Sequence, residues 1–191
     1  MVNPARVRAF ALALGRRAKT DPIDATVIAH FLEATKPEPR PLPDAETRRL
    51  SDLLARRGQI VDMMTAERQR RARLPEPRLQ KSIARLLLAL QKQLSTLDGE
   101  IDDAMRSSPA WRAKEDLLVV SVPGVGKTIA RTLIADLPEL GTLDRRAIAA
   151  LAGLAPRTRQ SGQWKGKSFI GGGRARVRAV LFMGAMVAAR H

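Results

Sequence analysis

Cysteine is absent from the 191 residues, which excludes disulfide scaffolds, thiolate zinc sites and cysteine nucleophiles together and makes the cytoplasm the expected compartment. Tyrosine is absent too, aromatic residues make up only 3% of the chain, and Trp111 and Trp164 are its only tryptophans. That scarcity excludes an RRM or OB platform, which binds nucleic acid by stacking bases on aromatic rings. The longest uncharged apolar run, residues 179–189, has 11 residues, against the roughly 20 that a spanning helix needs. Residues 10–15 are too short for a signal-peptide core and lead into Arg16, Arg17 and Lys19 instead of a small-residue cleavage site. No membrane partner is expected. Acid is scarce as well: Asp+Glu 19 face Lys+Arg 34, for a net charge of +15. With 45% hydrophobic residues the chain can bury a core, and what remains is a basic, aliphatic, mainly α protein.

The positive charge is unevenly placed. Residues 157–191 hold Arg157, Arg159, Lys165, Lys167, Arg174, Arg176, Arg178 and Arg190 and no acid. Residues 68–85 hold seven basic side chains opposed only by Glu76, and residues 1–20 hold five opposed by none. One such block reads equally well as a solvated face. Three in a chain this basic favour nucleic acid, because each neutralised phosphate releases counterions.

Residues 36–43, KPEPRPLP, form a proline-dense extended linker. Asp44 offers an N-cap to a helix whose stripe is Leu50, Leu53, Leu54, Ile60, Val61 and Met64. Pro75 and Pro77 end it. Ile83, Leu86, Leu90, Leu94, Leu97, Ile101 and Ala104 then form a heptad-like seam, so residues 44–107 are expected to fold back as an antiparallel coiled-coil hairpin. Asp98, Glu100, Asp102 and Asp103 on one arm are expected to be solvated surface rather than metal ligands.

Residues 108–191 read as a small helical domain: a helix up to about Leu118, a strand-like stretch over 117–122, a helix through Ile134, another over 144–152, a short β-hairpin or loop over 157–170, and a closing helix from Arg174. Within it, PGVGKT at 123–128 admits two mechanisms. A phosphate-binding P-loop needs a glycine where Ser121 stands, and no second strand supplies a magnesium-binding Asp, so an NTPase is the weaker reading. A helix-hairpin-helix fits better: Val122, Gly124, Val125, Gly126 and Ala130 suit a tight hairpin whose backbone N–H groups approach a DNA phosphate, with Lys127 as a direct contact. A plain helix–turn–helix corner remains the alternative.

Two further motifs are weak singly. In KTDPIDA, Asp21 and Asp24 lie three apart at a helix start, a spacing suited to sharing Mg²⁺ with phosphate oxygens, although an Asp before Pro also serves as an ordinary N-cap. In RTRQSGQWKG, Ser161 before a glycine and among cations has what a phosphoryl-transfer nucleophile requires. No local His or Glu is present as its base, and a turn serine in a basic loop explains the stretch equally.

Taken in order, VNPARVRAFALALGRRAKTDPIDA, the PEPRPLP linker, SVPGVGKTIARTLIADLPELG, LDRRAIAALAGLAP and RQSGQWKGKSFIGGGRARVRAVLFMGA resemble the bridge-RNA-guided insertion-sequence transposases of the IS110 group. That family joins a RuvC-like acidic domain, a coiled coil and a transposase domain with a serine nucleophile. The resemblance implies that Asp21 and Asp24 are the last two of four Mg²⁺-binding acids, that Ser161 forms a phosphoserine link to DNA, and that Gly162, Gly166 and the glycines before Arg174 shape its loop. By the same resemblance Arg178 faces that site, a guide RNA is a partner, the coiled coil serves homo-oligomerisation, and metal activates the serine.

The resemblance divides the chain into a RuvC-like remnant (1–35, a strand end and two helices), a linker (36–43), the coiled coil (44–107) and a transposase domain (108–191). Nucleic-acid contacts are expected from Gly124, Gly126, Lys127, Arg157, Arg159, Lys165, Lys167, Arg174 and Arg178. The family's first acidic pair falls upstream of Met1 and its members continue past the position of His191, so the chain resembles the centre of a transposase, expected to bind Mg²⁺ poorly and to be inactive by itself. The expectation is a DNA transposase or recombinase; the alternative is a catalytically dead remnant that only binds nucleic acid.

Overall fold

A computed structural model describes residues 3–18, 20–37, 42–158, 160–162 and 164–190, the side chains of residues 164 and 165 excepted. The chain divides into two compact units, Met1–Asp44 and Ala45–His191. The architecture is mainly helical. No helix among the described residues is long and apolar enough to cross a membrane.

The first unit is a helix pair, α1 (Pro4–Ala13) and α2 (Asp21–Thr35). Asn3 caps α1 by accepting from the Ala5 amide at 2.9 Å, which satisfies one of the donors a helix start leaves open. Phe10 meets Phe31 edge to face at 5.5 Å, and the Arg6 guanidinium lies over the Phe31 ring. Ala11, Val27 and Phe31 are the buried residues of the pair. The expected strand end is not found among the described residues of this unit.

In the second unit, α3 (Ala45–Arg73) and α4 (Pro77–Ser107) fold back on each other. Pro77 sits in the first turn of α4, where its missing N–H costs nothing, and Glu76 caps that helix. Leu50 and Leu54 pack with Ile101 and Met105 at one end, and Ile60 and Met64 with Leu90 further out, so the arms run antiparallel as expected. The seam differs by one position. Leu87 packs inward while Leu86 is 46% exposed, because the spacing 83, 87, 90, 94, 97, 101 keeps the alternation of four and three that holds a stripe on one face.

The compact end comprises α5 (Pro109–Ser121), α6 (Lys127–Asp136), α7 (Arg145–Ala152), a two-stranded ribbon of β1 (Gln160–Ser161) and β2 (Trp164–Lys165), and α8 (Ala175–Ala188). Leu133, Leu137, Ala152 and Val177 form its centre. The base of the coiled coil is continuous with it, since Ala135 of α6 packs against Leu50, Leu54, Ile101 and Met105. Residues 117–121, expected as strand-like, are the last turn of α5. Their β-branched residues follow an established helix that Ser108 caps, and propensity yields to that context. The P-loop reading loses its strand with this correction.

The acidic cluster on α4 is more than solvated surface. Asp98 pairs with Arg57 across the hairpin at 2.7 Å, and Asp102 pairs with Arg131 of α6 at 2.7 Å. Glu100 and Asp103 are exposed, and Asp103 bridges Arg106 within the helix. Among the described residues no group of acids and histidines could hold a metal ion by itself.

Candidate functional site

Ser161 lies at the end of β1, paired across the antiparallel ribbon with Trp164, while Gln160 pairs with Lys165. Gly162 begins the turn with φ +58, a left-handed conformation that glycine adopts without a Cβ clash and that matches the twist of a tight hairpin. Further down the stem Arg157 and Phe169 exchange backbone hydrogen bonds of 2.9 and 3.2 Å. The serine is thus exposed on a ribbon held by backbone pairing, so of the loop or short β-hairpin expected over 157–170 the paired form is found.

The base of that ribbon is fixed by a three-glycine junction. Gly153 ends α7 in the left-handed region, and Gly172 and Gly173 precede α8 in the same region. A Cβ on Gly173 would lie 2.4 Å from the Gly153 nitrogen and 2.5 Å from the Leu151 carbonyl oxygen, so only glycine permits this approach. The Arg174 amide donates to the Leu151 carbonyl at 2.7 Å. Arg178 reaches back from α8 and donates to the carbonyls of Gly172 (2.6 Å) and Ala152 (3.3 Å).

The α5–α6 corner carries Gly124, Gly126 and Lys127. Gly124 has φ +82, and a Cβ there would lie 2.4 Å from the Gly184 carbonyl oxygen of α8. Its first role is therefore to let α8 approach. Gly126 is extended, is the N-cap residue of α6, and has open space where a Cβ would go. Lys127 is exposed beside it. The corner so presents a side open to solvent, at the end where α6 has amides without intrahelical partners.

The basic tail separates into two groups. Arg174 grips Glu139 through two hydrogen bonds of 2.5 and 2.6 Å; the bond to Glu139 outweighs partial burial and holds its pKa above the ordinary arginine value. Arg176 pairs with Asp136 and donates to the Ser51 carbonyl at 3.0 Å and the Ser51 hydroxyl at 3.1 Å. Arg178 donates to the two carbonyls already named. These three guanidiniums therefore hold the domain together, whatever else they touch, because a half-buried guanidinium needs acceptors. Arg157 and Lys167 are exposed. Arg159 and the side chain of Lys165 lie outside the described residues.

Sequence reasoning passed over Arg131, which sits between Glu115 (2.7 Å) and Asp102 (2.7 Å). Burial works against its charge, but both carboxylates outweigh that and raise its pKa. No local signal marked it, since Glu115 stands between Lys114 and Asp116 in a charged stretch of α5.

Asp21 and Asp24 occupy the first turn of α2, after Thr20 as N-cap residue, so Asp21 is not itself the cap. Asp24 lines an apolar cleft of about 780 Å³ between α1 and α2 with Val7, Ala11, Val27 and Phe31. Neither carboxylate has an ion-pair partner among the described residues. Oxygen donors of this kind suit Mg²⁺, which is held by one or two carboxylates and otherwise by water and phosphate. The pair fits a share of a Mg²⁺ shell and not a closed one.

Comparison with known proteins finds two transposase family models that match the chain. Residues 116–191 match the family described as Transposase IS116/IS110/IS902, and residues 1–74 match a transposase family of the IS110 DEDD type. A pilin gene-inverting protein of Moraxella bovis is 30% identical over 191 residues, covering 98% of this chain and 58% of that protein. The protein of the same name from Moraxella lacunata matches to the same extent. The chain thus spans a little over half the length of these relatives.

Proposed function

We propose that the chain, whose two ends match transposase family models, is a transposase of the IS116/IS110/IS902 kind that serves DNA strand exchange with Ser161 as the nucleophile. The observation that carries the reading is the exposed Ser161 beside left-handed Gly162 on a ribbon, inside the segment that matches the transposase family. An accessible hydroxyl next to a residue without a Cβ lets a phosphodiester approach closely.

In the proposed step the Ser161 hydroxyl loses its proton and its oxygen bonds to the scissile phosphorus. The sugar oxygen on the other side departs and takes up a proton as a free hydroxyl, leaving DNA linked to serine. A hydroxyl of a second strand reverses the step and frees the enzyme. Arg157, Arg159, Lys165 and Lys167 supply positive charge along the strand. Lys127 and the amides at Gly124 and Gly126 hold backbone phosphates without reading sequence, as a helix-hairpin-helix. Arg174 and Arg178 contribute by fixing the ribbon.

Asp21 and Asp24, in a RuvC-like portion, would hold Mg²⁺, which supplies Lewis-acid charge to phosphate oxygens and lowers the pKa of a bound hydroxyl. The division into remnant, linker, coiled coil and transposase domain belongs to this reading, as do guide RNA, homo-oligomerisation and a cytoplasmic location.

The test is to incubate the full chain with donor DNA, target DNA and guide RNA in Mg²⁺. A denaturation-resistant protein–DNA adduct that disappears in Ser161→Ala supports strand exchange. A second reading, a protein that only binds nucleic acid, is favoured by the presence of two carboxylates where a closed shell needs more. It wins if no adduct forms while salt-sensitive DNA binding persists.

A further inference from the structure

Most of the partly buried guanidiniums of the second unit have a carboxylate: Arg57 with Asp98, Arg131 with Asp102 and Glu115, Arg174 with Glu139, Arg176 with Asp136. The half-buried Arg178 does not, among the described residues, and nor does the exposed Arg157, yet the two converge on one glycine. Arg178 Nη1 donates to the Gly172 carbonyl at 2.6 Å, and a Cβ on Gly172 would lie 2.4 Å from Arg157 Nη2. Gly172 and Gly173 are both left-handed, and without a Cβ on Gly172 the Arg157 guanidinium can lie against the same turn that Arg178 holds. Two like charges gathered at one backbone turn without an acid repel each other, and an anion between them relieves this.

We propose that Arg157 and Arg178 form a clamp for a single backbone phosphate of DNA, at the foot of the Ser161 ribbon. This deepens the strand-exchange reading and rests on it. Four residues of fully extended chain reach at most ~13 Å, so the foot lies within about that distance of Ser161, a few nucleotides along one strand. The clamp therefore grips a phosphate flanking the scissile one and sets the register in which Ser161 meets its target. Planar guanidiniums suit this work because each offers a fork of donors matched to phosphate oxygens.

Among the described residues the Arg157 side chain makes no hydrogen bond, and its pairing with Phe169 runs through the backbone, so Arg157→Gln is expected to leave the fold intact, which thermal melting checks. Binding of a short labelled DNA duplex is followed by fluorescence anisotropy over a series of NaCl concentrations. Loss of one phosphate contact lowers the slope of log K against log salt by about 0.9. Arg157→Gln is expected to show that drop with a several-fold weaker affinity, Arg157→Lys to keep the slope, and Arg190→Gln, a charge loss away from the turn, to change nothing. Equal effects of Arg157→Gln and Arg190→Gln overturn the clamp, as does an unchanged slope in Arg157→Gln. A slope change seen with an RNA duplex but not with DNA overturns it as well. The Ser161 adduct is scored separately on the unaltered chain: adduct without a slope change sinks the clamp alone, and a slope change without adduct sinks strand exchange and leaves a phosphate site.

Discussion

Arg176, on the closing helix, donates to the backbone carbonyl of Ser51 on the first arm of the coiled coil, 125 residues earlier, at 3.0 Å. The same guanidinium reaches Asp136 at the end of α6, and Ser51 donates its hydroxyl to Asp136 at 2.7 Å. One arginine thus joins α3 and α8, the first and last helices of the second unit.

Arg176→Ala removes that junction and takes the charged partner from Asp136, which keeps the Ser51 hydroxyl as a donor. Its side chain is about one-third exposed, so solvent softens the loss. The expected cost is about 2 kcal/mol, below the 3–5 that follow from breaking a fully buried pair. Urea unfolding checks it, read as a lower midpoint at unchanged slope.

Arg131→Met is the more severe change. It strands Glu115, which is 7% exposed, and Asp102, and should cost about 3–5 kcal/mol. Asp103→Ala removes an exposed pair and should cost under about 0.5 kcal/mol. If the two variants unfold at similar urea concentrations, Arg131 is not the joint between coiled coil and helical domain.

The two glycines of the α5–α6 corner should part company. Gly124→Ala forces a left-handed alanine and a Cβ against the Gly184 carbonyl, for a loss of about 2 kcal/mol or more. Gly126→Ala meets open space and should change stability by less than about 0.5 kcal/mol. Equal melting temperatures for both variants would contradict the packing of α8 on this corner.

Leu86 and Leu87 test the seam of the coiled coil. Leu87→Ala should cost about 1–2 kcal/mol for its half-buried side chain, and Leu86→Ala a few tenths. A reversed order would restore the seam expected from the sequence.

The three-glycine junction predicts a functional loss separable from folding. Gly173→Ala should destabilise the end of α7 and displace the ribbon, lowering both melting temperature and adduct yield, whereas Ser161→Ala should leave the melting temperature unchanged.

Composition and local pattern by themselves determined the helical class, the hairpin of long helices and a loop or short β-hairpin around Ser161, whose strand pairing the tertiary structure decided. These follow from apolar spacing, from proline and glycine punctuation and from the near absence of aromatic residues, all of which act over a few neighbours. The serine loop was visible for the same reason: Ser161, Gly162 and their cations lie within one short stretch. Other features needed the tertiary structure. A helix already begun at Ser108 carried residues 117–121 along, though β-branched residues alone suggest a strand. The choice between Leu86 and Leu87 depended on the partner arm. Above all, the sequence shows only that arginines crowd the tail. Which of them meet Glu139, Asp136 or a carbonyl, and which two converge at Gly172 without an acid, is settled by contacts between distant segments, because a charge acquires its partner only when the chain has folded around it.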